Sequence, residues 1–387
     1  MEILKSWSWI TLFIYLGISI FTAILFKFSI KAKKNKSVIR IFKFSIEKKY
    51  IYYCIIIMLF IIFSSFRYIG KDVGGADTLT YINYFNDFKF MKFDIKETLL
   101  LNGYEFLFYN LMFVVKALGG NFRIFLILVN FVISLSLVSF VDCNVNDEKY
   151  CFWLILAYLP MLKSLNIVRN CIAASLAWIS ITFLSKENYK LSLLFMVLAY
   201  LNHYIALIIL VLILFYRYCS NKILSNRKIM LVLNVTSVIL AIVALPLMKV
   251  IMLKTGYSSY VNRIQISIIG YIPYFLIYFF MILDTEFKKY LENRNHLGYY
   301  KVISFLMLIL PIFIVINAAY RILLFFDLPM ILMLIDISDY YEKYIPDKFV
   351  KVYKILLVLI SVSYYIFRIC RMWSSSCIMP YYNILFM

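Results

Sequence analysis

The stretch IYYCIIIMLFIIFSSFRYIGKDVGGADTLTYINYF, residues 51–85, decides the fold and raises the question of function. Its first part, residues 51–65, carries no charge and is apolar enough to form a membrane-spanning helix. The part that follows, residues 66–85, holds one arginine, two aspartates, three glycines and three tyrosines. Charge, glycine and aromatic rings are therefore concentrated directly after a predicted span.

The rest of the chain repeats the apolar half of this stretch. Of 387 residues, 64% are hydrophobic and only 16% are charged, whereas roughly 25% are charged in an ordinary globular protein. Apolar runs long enough to cross about 30 Å of hydrocarbon recur throughout. Helices fit these runs, because the strands of a membrane barrel alternate polar and apolar residues. We therefore expect an all-α polytopic membrane protein.

The apolar runs predict about twelve spans in one domain, residues 1–387. They lie near residues 8–28, 51–66, 104–118, 122–141, 150–163, 168–184, 191–216, 229–248, 271–283, 300–317, 320–336 and 349–367. The predicted number and form of the spans are not fixed in two regions. The short runs 150–163 and 168–184 carry proline and basic residues, which indicates re-entrant or broken helices. The run 191–216 is either one span or a bent pair, and the orientation of residues 142–216 is not fixed.

Basic residues indicate which loops face the cytoplasm. The formal net charge is +20, but the lysines and arginines lie mostly in short loops, which is typical of an inner-membrane protein and not of a nucleic-acid-binding one. Residues 31–50 carry eight Lys or Arg against one Glu. The segments 217–228, 284–299 and 337–348 are assigned to the same side. Both termini then face outward, and two long outer loops follow, at about residues 67–103 and 249–270.

The polar half of the opening stretch has the residue types of a carbohydrate site. Asp72 and Asp77 are interleaved with glycines, which let backbone N–H groups approach a ligand closely. Tyr81 and Tyr84 follow at helical spacing. Carboxylates bind hydroxyls or act as bases, and aromatic rings stack on sugars. The alternative is a solvated loop with tyrosines of the interfacial aromatic belt.

Four other ionisable residues lie at or inside apolar runs, where a charge is costly unless it has a function or a partner. Glu105 begins a run and is either a base or an interfacial carboxylate. Arg169 enters a helix and is either a phosphate ligand or a lipid-headgroup arginine, and Arg321, at the start of another run, is a second candidate anion ligand. His203 lies within a 26-residue apolar run and is either part of a site or a structural hydrogen bonder.

Several common chemistries have no motif in this chain. No Walker, Rossmann, H-E-x-x-H or G-x-S-x-G pattern is present. The seven cysteines form no C-x-x-C pair, and no aspartate-rich cluster suggests a metal between phosphates. We expect no cofactor and metal-independent chemistry.

An ordered set of short motifs resembles one family. R-x-x-G-x-D-V-G-G-A-D-T-x-x-Y-x-x-Y-F begins at Arg67, and Y-E-x-L-F contains Glu105. N-x-x-R-N-x-x-A contains Arg169, N-H-Y contains His203, and Y-R-I-L-x-F-F contains Arg321. This order is similar to that of the EpsG/Wzy type of bacterial polysaccharide polymerase, over about residues 60 to 330.

The resemblance implies a glycosyltransferase of the bacterial inner membrane, active on its periplasmic face. Its fold is expected to resemble that of C-type glycosyltransferases, with outer loops over a lipid-open cavity. The donor and acceptor would be undecaprenyl-pyrophosphate-linked oligosaccharides, and further partners would be the lipid bilayer and a chain-length regulator protein. A lipid-linked oligosaccharide flippase or transporter, and an O-antigen ligase, are the alternatives.

The resemblance and the residue chemistry together assign candidate roles. The catalytic candidates are Asp77, Asp72, Glu105 and His203. The pyrophosphate-binding candidates are Arg169, Arg321, Arg263 and Arg67. The sugar-binding candidates are Tyr81, Tyr84, Tyr257 and Tyr260.

Overall fold

The computed structural model describes residues 8–41, 44–70, 73–87, 105–220, 228–230, 232–240, 243, 272–315, 319–376 and 378. Among the α-helices of these parts are α1 Trp9–Lys34, α2 Lys48–Ser65, α3 Ala76–Asp87, α4 Phe106–Ala117, α5 Phe122–Asn144, α6 Tyr158–Lys163, α7 Val168–Ser185, α8 Tyr189–Asn202, α9 Leu207–Leu214, α10 Ile272–Leu283, α11 Thr285–Asn293, α12 Leu297–Val315, α13 Ala319–Glu342 and α14 Asp347–Ser376. Short 3-10 helices cover Cys151–Ile155 and Tyr204–Ala206, and a π-helix covers Phe215–Cys219.

Over its described residues, the chain is an all-α membrane protein with one small exception. Five of the described helices are long and apolar enough to cross a membrane, namely Trp9–Lys34, Lys48–Ser65, Phe122–Asn144, Val168–Ser185 and the Asp347–Cys370 part of α14. The total of about twelve spans and the likeness to C-type glycosyltransferases stay predictions. The exception is an antiparallel hairpin of β1 Val38–Ile41 and β2 Phe44–Glu47, within the predicted cytoplasmic loop 31–50.

Ion pairs gather several loops at one end of the helix bundle, which we call the charged end. Lys33 of the first loop lies 3.6 Å from Asp142. Lys149 lies 3.2 Å from Asp339, and Arg294 lies 3.0 Å from the same carboxylate. The loops 31–50, 284–299 and 337–348, assigned to one side from their basic residues, therefore do meet at one end, and residues 142–149 join them.

The opposite end, which we call the site end, contains the short helix α4 of the predicted span 104–118. The guanidinium of Arg123 lies 5.6 Å from the ring centroid of Phe66, so α5 begins where α2 ends. Helix α4, with 12 residues, is only about 18 Å long. Its Lys116 donates to Phe85 O at 2.6 Å, and Phe85 packs on Phe122. Helix α4 is therefore tied through Phe85 to the beginning of α5, and the span at 104–118 stays a prediction.

The predicted break before α7 is confirmed. Trp153 donates to Ser338 Oγ at 2.9 Å near the charged end, whereas Leu165 O accepts from Arg67 at the site end. Between them the chain runs through a 3-10 helix and the six-residue α6, which contains Pro160. A proline removes a helix hydrogen bond and favours such a break.

The run 191–216 is a bent pair and not one straight span. Helix α8 ends at Asn202, and His203 adopts extended backbone with φ −160°. The chain then turns back, because the guanidinium of Arg217 lies 5.5 Å from the ring of Tyr189 at the start of α8. His203 therefore lies at the tip of a helical hairpin that points to the site end.

Candidate active site around Arg169

Two glycines of the opening stretch allow a tight packing contact at the site end. Gly74 and Gly75 have positive φ angles of 80° and 105°, which side-chain-bearing residues rarely adopt. A Cβ on Gly75 would lie 2.0 Å from Leu165 O, and one on Gly74 would lie 2.1 Å from Tyr68 O. Gly74 therefore lets the turn fold back on Tyr68, and Gly75 lets the start of α3 lie directly against residues 165–166, just before α7.

Arg67 holds this contact from inside the protein. Its side chain is buried and donates to Gly74 O and Leu165 O, both at 2.9 Å. It also donates to Thr78 Oγ1 at 3.2 Å and to Ser64 O. The sequence predicts that Arg67 binds pyrophosphate, but in the structure its guanidinium donates to neutral acceptors of the protein. Arg67 instead connects α2, α3 and the segment before α7.

Arg169, in the first turn of α7, is the centre of the site. Its Nε donates to Tyr81 Oη at 3.0 Å, and one terminal nitrogen donates to Tyr109 Oη at 3.1 Å. The same nitrogen forms an ion pair with Glu105. Both tyrosine rings also lie within 6 Å of the guanidinium carbon, at cation–π distance. The guanidinium is thus fixed, while 26% of the side chain stays exposed.

The partners of Arg169 come from two short helices of the site end. Tyr81 lies on α3 and is buried, and its burial raises the pKa of the phenol, which Arg169 partly opposes. The phenol therefore stays neutral and accepts the hydrogen bond from Arg169. Glu105 precedes the first turn of α4, and Tyr109 follows four residues later. Sequence reasoning missed Tyr109, although its spacing from Glu105 places both on one helical face.

Two buried polar atoms near Arg169 have no hydrogen-bond partner among the described residues. One is Nδ1 of His203, which lies 4.0 Å from Glu105 Oε1. The other is Oδ1 of Asn170, whose Nδ2 donates to Arg321 O at 3.4 Å. Buried polar atoms are nearly always satisfied by protein, water or ligand. These two therefore mark a place where a polar ligand or water completes the site.

Arg321 brings a second cation to the same place. It lies in the first turn of α13, half-buried, and its charge acts on both Tyr81 and His203. Asp327, six residues on, has other partners. That carboxylate instead lies 2.9 Å from Lys163 Nζ and accepts from Tyr274 Oη at 2.5 Å.

Asp77 and Tyr84 lie at the same end with their functional groups uncommitted. The backbone N–H of Asp77 donates to Asn166 Oδ1 at 2.8 Å, but among the described residues its carboxylate forms no ion pair. Tyr84 is 47% exposed, and its ring packs edge-on against Tyr109. An accessible carboxylate and an accessible ring therefore flank the Arg169 cluster.

Four of the predicted site residues cannot be placed. Asp72, Tyr257, Tyr260 and Arg263 lie outside the described residues. Within the described ranges, no three His, Cys, Asp or Glu side chains group as a metal site would need. The structure thus brings together Asp77, Glu105, Arg169, His203, Arg321, Tyr81 and Tyr84.

This arrangement suits a ligand that is both anionic and rich in hydroxyls. Two guanidinium groups attract a phosphate, and a rigid guanidinium binds it with two donors. The carboxylate of Asp77 is available for a hydroxyl, and the exposed ring of Tyr84 for the C–H face of a sugar.

Comparison with known proteins gives a family match. The family description that matches the chain is the EpsG family, over residues 50–383. The match covers most of the chain and every residue of the cluster around Arg169. No curated protein and no solved structure matches the chain. The chain belongs to the EpsG family.

Proposed function

We propose that this chain is a polysaccharide polymerase that acts on lipid-linked repeat units at the outer face of the bacterial inner membrane. Family membership supports a polysaccharide polymerase role in general. The finer proposal is that it moves a growing glycan from undecaprenyl pyrophosphate to the non-reducing end of a new lipid-linked unit. The observation that carries it is the convergence of Arg169, Arg321 and Asp77 at one end of the bundle.

Each of these side chains has a role in the proposed reaction. An acceptor hydroxyl oxygen attacks the anomeric carbon of the donor, and a new glycosidic bond forms. The bond between that carbon and the pyrophosphate oxygen breaks, and its electron pair leaves with the lipid pyrophosphate. Arg169 and Arg321 stabilise the negative charge that develops there. A carboxylate takes the proton of the acceptor hydroxyl.

Asp77 suits the role of the base better than Glu105. The Glu105 carboxylate is already paired with Arg169, so it positions the guanidinium. The Asp77 carboxylate has no such partner among the described residues and lies in the first turn of α3, directly after the two glycines. Asp72 stays a candidate from the sequence, outside the described residues.

His203 and the tyrosines complete the proposed site. The free Nδ1 of His203 is within reach of a bound oxygen near Glu105, so the ring orients a phosphate or a hydroxyl. Tyr84 offers an exposed ring for sugar stacking. Tyr257, Tyr260 and Arg263 of the second predicted outer loop are proposed to contribute from outside the described residues.

Deleting the gene tests the proposed reaction against its alternatives. Loss of a polymerase leaves single repeat units attached to the lipid core, seen as one short band on a glycan gel. Loss of a flippase leaves no repeat unit there, and loss of a ligase leaves lipid-linked polymer that never reaches the core. A deletion strain that still makes long chains contradicts the polymerase proposal.

Complementation tests the two arginines. Arg169→Ala and Arg321→Ala are each expected to reduce long-chain glycan by about 10²–10³-fold, the usual cost of losing one charge-stabilising donor. Arg217→Ala is the matched control, because this exposed arginine lies at the charged end, stacked on Tyr189 and Tyr218. Protein levels are compared by immunoblot. Full chain length with both site variants would remove the assignment.

A further inference from the structure

A buried ion pair lies between the two ends of the helix bundle. Lys163 is the last residue of α6, and its Nζ lies 2.9 Å from Oδ2 of Asp327 on α13. Only 6% and 5% of these side chains are exposed. Charged groups in apolar surroundings are costly and usually have a partner and a function. The proposed reaction does not use either charge directly.

Asp327 uses both of its carboxylate oxygens to fix α13 in the bundle. Oδ2 faces Lys163, and Oδ1 accepts a hydrogen bond from Tyr274 Oη of α10 at 2.5 Å. The charge of Arg368, which is buried on α14, also acts on Asp327. Hydrogen bonds to a charged group are shorter and stronger than neutral ones. This part of α13 is therefore held from α6 and α10 at once.

A proline lies close to each member of the pair. Pro329 follows Asp327 by two residues inside α13, and it has no N–H to donate to Phe325 O one turn earlier. Pro160 lies three residues before Lys163 in α6. The beginning of α13 is therefore joined to the rest of its helix by one hydrogen bond fewer, and the ion pair fixes it from the side.

The segment before α7, residues 163–167, connects the lysine to two groups of the proposed site. The N–H of Ile167 donates to the carbonyl oxygen of the lysine at 2.9 Å, and Ile167 directly precedes α7, whose first turn contains Arg169. The side chain of Asn166 accepts from the N–H of Asp77 at 2.8 Å. The lysine thus belongs to a hydrogen-bonded segment that carries both groups.

The aspartate side of the pair carries the second arginine of the site. Arg321 lies six residues before Asp327 on α13, about 9 Å along the helix axis. Asn170 of α7 donates to Arg321 O at 3.4 Å. Trp178 of α7 donates to Leu324 O at 3.0 Å. Both of these hydrogen bonds are neutral, so the ion pair is the charge-assisted contact among the three.

We propose that the Lys163–Asp327 ion pair positions Arg321 for the transfer reaction. The segment before α7 is held independently of the pair by the buried Arg67, so the pair fixes the beginning of α13 against a rigid support. This inference rests on the proposed function, in which the arginine faces the pyrophosphate while the proposed base faces the acceptor hydroxyl. A displacement of about 1 Å in such a group can cost about 10²-fold in rate.

Turnover of the purified full chain on lipid-linked repeat units tests the proposal. Lys163→Met combined with Asp327→Asn removes both charges together, so neither is left buried without the other, and Tyr274 keeps an acceptor. We expect a Tm close to that of the wild type and a kcat lower by about ten- to a hundredfold. The KM should change less, because Arg321 acts on charge that develops in the transition state. A wild-type kcat in this double variant overturns the inference.

A double-mutant cycle with Arg321→Ala separates positioning from a general loss of structure. Once that arginine is absent, the charge-free pair should lower the kcat by less than about twofold further. A merely structural role would lower it by the same factor in both backgrounds, and that result would overturn the inference. Asp336→Asn is the matched control, because this second buried carboxylate lies on the same helix. It is expected to lower the Tm and to leave turnover per folded molecule unchanged.

Tyr274→Phe takes the place of the double variant if that protein does not fold. It removes one hydrogen bond to Asp327 Oδ1 and is expected to lower the kcat about two- to tenfold, again only when Arg321 is present. Unchanged kcat overturns the inference and leaves the proposed function standing. Failure of the proposed function looks different, because Arg321→Ala then has the wild-type kcat or the wild type makes no polymer, and the inference falls with it.

Discussion

Arg169 and Arg294 occupy opposite ends of the molecule and show two different uses of the same residue. Each is hydrogen-bonded to tyrosine, Arg169 to Tyr81 and Tyr109, and Arg294 to Tyr290 at 2.6 Å. Arg294, however, lies close to two carboxylates. Arg169 has one, Glu105, in a place that also contains a second arginine.

The two ends differ in whether their buried polar groups have partners within the protein. At the charged end, Asp336 is fully buried, and Arg294 at 3.2 Å and His296 at 2.7 Å both contact it, so the buried carboxylate has partners. At the site end, His203 and Asn170 keep buried polar atoms without partners among the described residues. A closed network contributes to stability and specificity, whereas an open one has capacity for a ligand. The predictions below test this contrast.

The largest effect on activity is expected from Asp77. Asp77→Asn removes the proposed base and should lower the rate of polymer formation by about 10²–10⁴-fold, the usual contribution of such a group. Glu105→Gln should cost only about tenfold, because the amide oxygen still accepts a hydrogen bond from Arg169. Glycan chain length in the complemented deletion strain, normalised to protein level, measures both. A reversed order would make Glu105 the base.

The second prediction concerns stability at the charged end. Arg294→Ala leaves the buried Asp336 with His296 as its remaining partner, and breaking a buried pair costs about 3 kcal/mol or more. We expect a lower Tm and less protein in the membrane, with normal activity per molecule. Arg169→Ala should show the opposite pattern, with normal protein level and lost activity. If both variants lost protein equally, the contrast between the two arginines would fail.

The candidate site could be predicted from the sequence because a charged side chain in an apolar run is energetically costly. Glu105, Arg169, His203 and Arg321 stand out since ionisable residues are expensive inside apolar runs. The structure brings these four to one end, although they are far apart in the chain. The sequence did not show which residues each of these side chains would contact.

Arg67 illustrates that limit. By type and position it resembles a phosphate ligand, but one of its acceptors is Leu165 O, 98 residues away. No local pattern predicts which backbone carbonyls a buried guanidinium will meet. The predicted span at 104–118 meets a related limit. Residues 106–117 are mostly apolar, and hydropathy alone does not show that Lys116 will donate to Phe85 O, 31 residues away.

A third prediction compares two glycine substitutions to separate the cost of backbone strain from the cost of a steric clash. Gly75→Ala should disturb the contact between α3 and Leu165, because its Cβ would lie 2.0 Å from Leu165 O at a positive φ. Backbone strain alone costs about 1–3 kcal/mol. Gly119→Ala is the control, with φ 77° but no atom within 4 Å of the added Cβ. We expect a larger fall in Tm and in polymer length for Gly75→Ala. Equal effects would show that the close contact contributes nothing.

The smallest effect, and the finest test of the comparison, comes from removing one tyrosine hydroxyl at each end. Tyr109→Phe deletes a 3.1 Å hydrogen bond to Arg169, and Tyr290→Phe deletes one of 2.6 Å to Arg294. Such a bond contributes about 0.5–1.5 kcal/mol. At the site end we expect the lost hydrogen bond to reduce polymer formation two- to tenfold at unchanged Tm, because the guanidinium keeps its ion pair but is held less firmly in its orientation. At the charged end we expect the lost hydrogen bond to lower the Tm at unchanged activity. Tyr109→Phe lowering only the Tm would make Arg169 another structural arginine.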